Sequence, residues 1–189
     1  MKIRLAGQIQ QDSIVDGEGL RTVIWTQGCS HNCPGCHNPE THDFKGGFEV
    51  SIDDVKQKLK NLKYQDGITL SGGDPFFQAK ACLEIAKYSH NLNLNVWCYT
   101  GFTFEQLMKL SKSKPIILDF LKQIDVLIDG RFILSEKSLN VKFRGSKNQR
   151  IIDVKKSLKL GYACCIDKYD QNFFVHDLFA NNKKKEIFI

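Results

Sequence analysis

Apolar residues recur along the chain in short runs that switch between strand-like and helix-like periods. Arg21 to Thr26 (Arg-Thr-Val-Ile-Trp-Thr) is a continuous β-branched and aromatic run and predicts a buried strand. Ser51 predicts a helix N-cap, with Asp53 and Asp54 in the first turn where they complement the helix dipole. Ile52, Val55, Leu59 and Leu62 then return at helical spacing. Gly67 to Leu70 predicts a short strand that runs into Ser71-Gly72-Gly73-Asp74-Pro75. Ala79 to Tyr88 predicts a helix with Leu83 and Ala86 inward, and Leu94 to Tyr99 a strand. Thr103 begins a helix with Phe104, Leu107 and Met108 on one face, and Val126 to Ile128 is a strand ahead of Asp129-Gly130. A last helix is expected over Ile152 to Leu160, stopped by Gly161.

Alternating strands and helices imply a parallel sheet with right-handed crossovers. Eight full β/α units take about 250 residues, and the chain has 189. The expected fold is therefore α/β, a partial, incomplete β/α barrel of parallel strands. Two turns of unusual composition, from Gly28 and from Ser71, both follow predicted strands, at the sheet edge where parallel α/β folds bind ligands. No internal repeat or linker is visible. The chain divides into a core domain over 1–160 and a C-terminal extension over 161–189 to which no role is assigned. That extension holds Cys164-Cys165 and ends in a basic stretch from Asn181 to Ile189.

Composition narrows the class. The chain is 42% hydrophobic and 25% charged with four prolines, which is the balance of a folded protein and excludes long disorder. No stretch is long and apolar enough to cross a bilayer, and Met1 to Gly7 lacks the apolar core of a secretory signal. A cytoplasmic protein with no membrane partner is expected. Seven cysteines, an odd number, argue against a disulfide framework and for reduced thiols with a metal centre. The net charge of +6 comes from basic residues interleaved with acids. It fits an acidic protein partner or simple solubility, and no nucleic acid is expected.

The chemistry concentrates in Gly28-Cys-Ser-His-Asn-Cys-Pro-Gly-Cys36, where Cys29, Cys33 and Cys36 are spaced C-x3-C-x2-C. Three thiolates this close can hold three irons of a four-iron cluster and leave the fourth open to a substrate. The alternative is a structural zinc site with His31, His37 or His42 as fourth ligand, but such sites more often use paired C-x2-C knuckles separated by a longer loop. Small and turn-forming residues (Gly28, Ser30, Asn32, Pro34, Gly35) let the loop wrap a bulky cluster. In the second turn, Gly72 and Gly73 allow close approach of backbone to a ligand. Asp74 offers a charge for an ammonium group, and Pro75 holds Asp74 extended. A phosphate loop would need a Gly-Lys-Ser/Thr ending that is absent; an ordinary turn is the other reading. Cys82 and Cys98 read as small core residues. A second metal site at Cys164-Cys165 is the weaker alternative to an unassigned pair. His90 and His176 read as structural or exposed.

Together the cysteine loop and the Gly-Gly-acidic-Pro turn resemble the two best-known marks of the radical S-adenosylmethionine (SAM) enzymes. Val15–Arg21, Gly28–Asn38, Ser71–Phe76, Trp97–Gly101, Leu127–Phe132 and Phe143–Arg150 resemble, in order, segments of the activating proteins of anaerobic ribonucleoside-triphosphate reductases. Arg144-Gly-Ser-Lys-Asn-Gln149 points to that subgroup in particular. The resemblance implies one 4Fe-4S cluster on Cys29, Cys33 and Cys36, with SAM chelating the open iron. It implies that Gly72, Gly73 and Asp74 receive the SAM ammonium, that Gly35, Cys36 and His37 lie against the adenosine, and that Thr100 reaches the ribose. It further implies reductive cleavage of SAM by an external one-electron donor such as flavodoxin or ferredoxin, and hydrogen abstraction from a glycine of the partner reductase. Arg144 and Arg150 would grip the partner or the SAM carboxylate, unless they are solvated. Asp129 would bind a cation or a substrate loop, unless it caps a turn. The alternatives are an activase of another glycyl radical enzyme, a radical SAM enzyme acting on a small nucleobase-like substrate, and a zinc-stabilised binding module. The short chain offers few walls to enclose a small substrate.

Overall fold

The computed structural model describes residues 1–169. In chain order the elements are β1 (Lys2–Leu5), β2 (Gln10–Ser13), β3 (Arg21–Thr26), β4 (Phe48–Ser51), α1 (Ile52–Lys60), β5 (Gly67–Gly72), α2 (Ala79–Asn91), β6 (Asn95–Tyr99), α3 (Phe104–Ser111), α4 (Pro115–Leu121), β7 (Val126–Asp129), β8 (Arg150–Asp153) and α5 (Val154–Leu160). The strands make one sheet in the order β4-β1-β3-β5-β6-β7-β8, with β2 also paired to β3. Its centre, β3-β5-β6-β7, is parallel. This is the expected α/β partial barrel. The strands added at the two sides, β1, β2, β4 and β8, pair antiparallel and go beyond that expectation.

Local chemistry sets the helix ends. Ser51 Oγ accepts from Asp54 N (3.0 Å) at the start of α1, with Asp53 and Asp54 in its first turn. Thr103 and Gln106 form a reciprocal capping box on α3. Gly161 ends α5 in the left-handed conformation, φ 81°. The helices bury their apolar faces on one side of the sheet, where Ile24, Leu70, Val96 and Leu127 meet Val55, Leu59, Ile85 and Phe104. On the inner side, Trp97, Ile128, Ile151 and Tyr169 pack with Tyr99 and Phe143.

The helix expected over Ile152 to Leu160 begins later, at Val154. Ile152 belongs to β8 and lies opposite Leu127. Asp153, whose side chain accepts from Lys156 N (2.9 Å), marks the true boundary. After Gly161 the chain returns along β8, with Asp153 N donating to Cys164 O (3.0 Å) and Ile166 N to Ile151 O (2.9 Å). The described part of the extension thus lies on the core. Cys164 is buried there, Cys165 is exposed, and neither is in a disulfide. His176 and the basic stretch from Asn181 lie outside the described residues. Among the described residues no helix is long and apolar enough to cross a membrane.

Candidate active site

The parallel strands deliver the two turns to one edge. β3 ends at Thr26, and Gly28 (φ 101°) bends the chain into the cysteine loop. The base of the loop is anchored by Gly28 N to Thr41 O (2.8 Å) and Cys29 N to His42 O (3.1 Å). Cys29, Cys33 and Cys36 are half-buried free thiols. They line a single cavity of ≈ 380 Å³, together with residues at the carboxyl ends of β5, β6 and β7. Burial pushes the Cys29 thiol up to about 11 and raises Cys33 as well. Metal coordination works against that shift, because a ligating thiol gives up its proton.

The second turn is bare for a reason the sequence did not show. A Cβ at Gly72 would lie 2.6 Å from Thr26 O, and one at Gly73 would lie 2.5 Å from Gly28 O. The glycines therefore admit the backbone of β3 and of the cysteine loop. Gly73 N donates to Thr26 O (2.7 Å) and Asp74 N to Gly28 O (3.0 Å), which ties turn to loop directly.

Asp74 is extended as expected (φ −122°, ψ 117°) and 1% exposed. Its carboxylate is already occupied by four protein groups. Oδ1 accepts from Phe76 N (3.0 Å), and Oδ2 meets Thr100 Oγ1 (2.8 Å), Gly101 N (3.0 Å) and His31 Nε2 (2.7 Å). These bonds fix Asp74 in the cavity wall, with Oδ1 accepting one bond and Oδ2 shared among three partners. The Thr100 hydroxyl donates to Asp74 and accepts from Phe102 N (3.1 Å). Gly72, Gly73, Asp74, Thr100, Cys36 and His37 all line the cavity. His37 leans on Phe132, with ring centroids 4.9 Å apart. Gly35 (φ 72°) sits against the Leu134 side chain.

Other assignments resolve into structure. Asp129 is 1% exposed, accepts from Phe104 N (2.7 Å) at the start of α3, and pairs with Arg150 Nε (2.9 Å). Arg150 also pairs with Glu105 (2.8 Å), so its guanidinium is spent on holding α3 to β8, and these two carboxylates raise its pKa. Arg144 lines the cavity and donates to Gln149 O (3.2 Å) and Tyr169 O (2.7 Å). Cys82 and Cys98 are fully buried core residues as expected, and burial raises both thiols. His90 bonds Gln123 O (3.0 Å), a structural contact. Nothing in the sequence announces the bond from His31 to Asp74: residue type suggests a zinc ligand, and no spacing rule links His31 to a residue 43 positions away.

The three thiols are soft donors of the kind that hold metal centres. Three soft thiols spread around one cavity suit an iron–sulfur cluster. A parallel α/β sheet with such a loop at its carboxyl edge defines an iron–sulfur protein, and the model of the 4Fe-4S single cluster domain family matches residues 15–152.

Relatives narrow this. The chain is 34% identical over 146 residues to the anaerobic ribonucleoside-triphosphate reductase-activating protein of Enterobacteria phage T4, across 72% of this chain and 86% of that one. It is 33% identical over 154 residues to the protein of the same name from Haemophilus influenzae, across 76% and 94%. The pyruvate formate-lyase-activating enzyme of Clostridium pasteurianum is 32% identical over 123 residues, across 62% and 52%. The crystal structure of QueE from Escherichia coli overlaps 54% of this chain and 53% of its own, with a TM-score of 0.47 and 14% identity. The chain belongs to the family of anaerobic ribonucleoside-triphosphate reductase-activating proteins.

Proposed function

We propose that this protein is a radical SAM activating enzyme that generates a glycyl radical on an anaerobic ribonucleoside-triphosphate reductase. The observation that carries this reading is the gathering of Cys29, Cys33 and Cys36 on one cavity at the carboxyl edge of the parallel sheet, in a chain that shares this family. The cluster and SAM, when bound, supply one-electron cleavage of a sulfonium and the hydrogen-abstracting chemistry that follows. The chain's own residues bind and orient. Cys29, Cys33 and Cys36 provide three thiolates, and among the described residues the cavity wall carries no fourth cysteine to close the set. Backbone groups of Gly72 and Gly73, with the carboxylate of Asp74 beside them, receive the ammonium group. Cys36 and His37 form the wall for the adenosine, Gly35 turns the loop next to them without lining the cavity, and Thr100 helps to shape the ribose side.

Val15 lines the mouth of the cavity and is 69% exposed, and its neighbour Ile14 is 71% exposed. A protein substrate seated there would cover these side chains and exclude water from the cavity. That favours a protein over a small nucleobase-like substrate. An external one-electron donor of the flavodoxin or ferredoxin kind completes the reaction. Residues 1–160 form the catalytic core, with 161–189 as an extension. A second reading, activation of another glycyl radical enzyme, draws support from the likeness to the pyruvate formate-lyase-activating enzyme.

The test is anaerobic. Reduced protein, SAM and the reductase are mixed, and electron paramagnetic resonance is expected to show a glycyl radical. Formation of 5′-deoxyadenosine without a radical on the reductase moves the assignment to the second reading. Cys33→Ala is expected to lose the cluster and all SAM cleavage; cleavage that survives in this variant contradicts the ligand assignment.

A further inference from the structure

One histidine sits inside the cysteine loop, between Cys29 and Cys33, and faces inward. His31 is 9% exposed. Its ring meets Phe102 edge-on, with centroids 4.6 Å apart and planes at 74°, and approaches Phe77 at 5.8 Å. Gly101 lies beneath it, so close that a Cβ there would come within 2.4 Å of His31 Cδ2. Its Nε2 lies 2.7 Å from Asp74 Oδ2, the oxygen that also holds Thr100 and Gly101. One imidazole thus joins the cysteine loop to the ends of β5 and β6.

We propose that His31 is a positioning residue for the metal centre: through Asp74 it fixes the Cys29–Cys33 span against the ends of β5 and β6. The acidic residue of the Gly-Gly-Asp-Pro turn then holds the cysteine loop to the sheet edge. The inference rests on the cluster reading and extends it. Backbone bonds to Thr41 and His42 anchor the loop only at its base, Gly28 and Cys29. Beyond Cys29 the chain has to be steered so that Cys33 and Cys36 return to the same cavity, and Asn32 does so in a left-handed conformation, φ 48°. His31 is the adjoining residue and carries a side-chain bond to the sheet edge. A buried carboxylate held by several donors is a rigid anchor, because moving it would leave those donors unsatisfied. Partners that orient a metal ligand from outside its coordination sphere act in the same way.

The experiment uses the full chain, reconstituted anaerobically with iron and sulfide, in four forms: wild type, His31→Phe, His31→Gln and Asp74→Asn. His31→Phe keeps a ring against Phe77 and Phe102 but has no donor. His31→Gln keeps an N–H that can reach Asp74. Iron release to a chelator is followed, along with the resonance spectrum of the reduced cluster and SAM binding by equilibrium dialysis. His31→Phe and Asp74→Asn are expected to release iron about tenfold faster than wild type, the low end of what such outer partners are worth. His31→Phe is also expected to change the spectrum, and His31→Gln to restore both. Release at the wild-type rate with an unchanged spectrum in His31→Phe overturns the proposal. So does an Asp74→Asn variant that holds iron normally but binds SAM weakly, since that is the behaviour of an ammonium ligand. A wild-type protein that holds no iron and sulfide overturns the cluster reading itself, a result separable from the other two.

Discussion

Gly73→Ala is a one-carbon change with a consequence that can be worked out. The new Cβ would stand 2.5 Å from Gly28 O and 2.9 Å from both Gly28 C and Gly28 N. All three are backbone atoms, so no side chain can swing away. Reaching an ordinary carbon–oxygen separation moves the Gly28 carbonyl by about 1 Å. That carbonyl accepts from Asp74 N (3.0 Å), and the next residue is Cys29. Overpacking of this kind costs about 1–3 kcal/mol, which for a chain of this size lowers the melting midpoint by roughly 2–12 °C. The functional loss is larger than the stability loss, because a 1 Å misplacement of reacting groups costs on the order of a hundredfold in rate. Thermal melting and anaerobic formation of 5′-deoxyadenosine from SAM measure the two effects. Gly7→Ala is the control, since a Cβ there meets nothing within 4 Å. A Gly73→Ala protein that melts and cleaves SAM like wild type refutes the claim that this glycine exists to admit the loop backbone.

Two further outcomes follow from the polar groups outside the cavity. Arg21 is fully buried, lies 5.2 Å from the Trp97 ring, and donates to Thr69 Oγ1 (2.7 Å), Asn95 Oδ1 (2.8 Å) and Glu18 O (3.0 Å), while burial lowers its pKa to about 10. Arg21→Met is expected to destabilise by about 2–4 kcal/mol, because buried acceptors left alone cost about 1–3 kcal/mol each and relief of guanidinium desolvation offsets only part of that; urea unfolding measures it. Glu105 bonds Arg150, which holds its carboxyl well below the usual range, at about 2. A depressed carboxyl stabilises the fold above its unfolded value and loses that contribution as pH falls toward the folded one. Glu105→Gln is therefore expected to cost about 0.5–1 kcal/mol at pH 7, discounted for its exposure, and the difference should shrink as pH falls from about 4.5 to about 2. A difference that stays constant with pH removes the ion pair as its cause.

The sequence carried the parallel centre of the sheet because β3, β5, β6 and β7 are buried on both faces and read as short apolar runs. The antiparallel sides were not legible. β2 is Gln-Gln-Asp-Ser and mostly exposed, with no apolar pattern to detect. β1 and β4 are four residues each, too short for a period to establish itself. β8 was absorbed into a helix because Ile151 and Ile152 precede Val154 and Leu158 without a break that period alone can see. In the site, the three cysteines were legible from spacing. The hydrogen-bond partners of Asp74 and Thr100 were not, because both depend on which groups the sheet register brings to them. The chemistry of each side chain was read from its type, whereas its partner was chosen by tertiary packing.

Register is what makes the two loops a single device. β3 and β5 pair in parallel with Thr26 opposite Gly72, so the residues that follow each strand meet as well. Gly28 comes to lie on Gly73 and Asp74, and the cysteine loop begins where the glycine turn ends. The β5–β6 pairing, with Leu70 opposite Cys98, places Thr100 and Gly101 alongside Asp74. A slip of one residue between β3 and β5 would turn every side chain of the slipped strand to the opposite face. It would also part Gly73 from Thr26 O and Asp74 from Gly28 O. The apolar cores on the two faces of the sheet, with Ile24 and Leu70 on one and Trp97 and Ile128 on the other, thus fix the geometry of the site from a distance. Substitutions in those strands that preserve stability but shift register should abolish cluster binding while leaving all three cysteines in place.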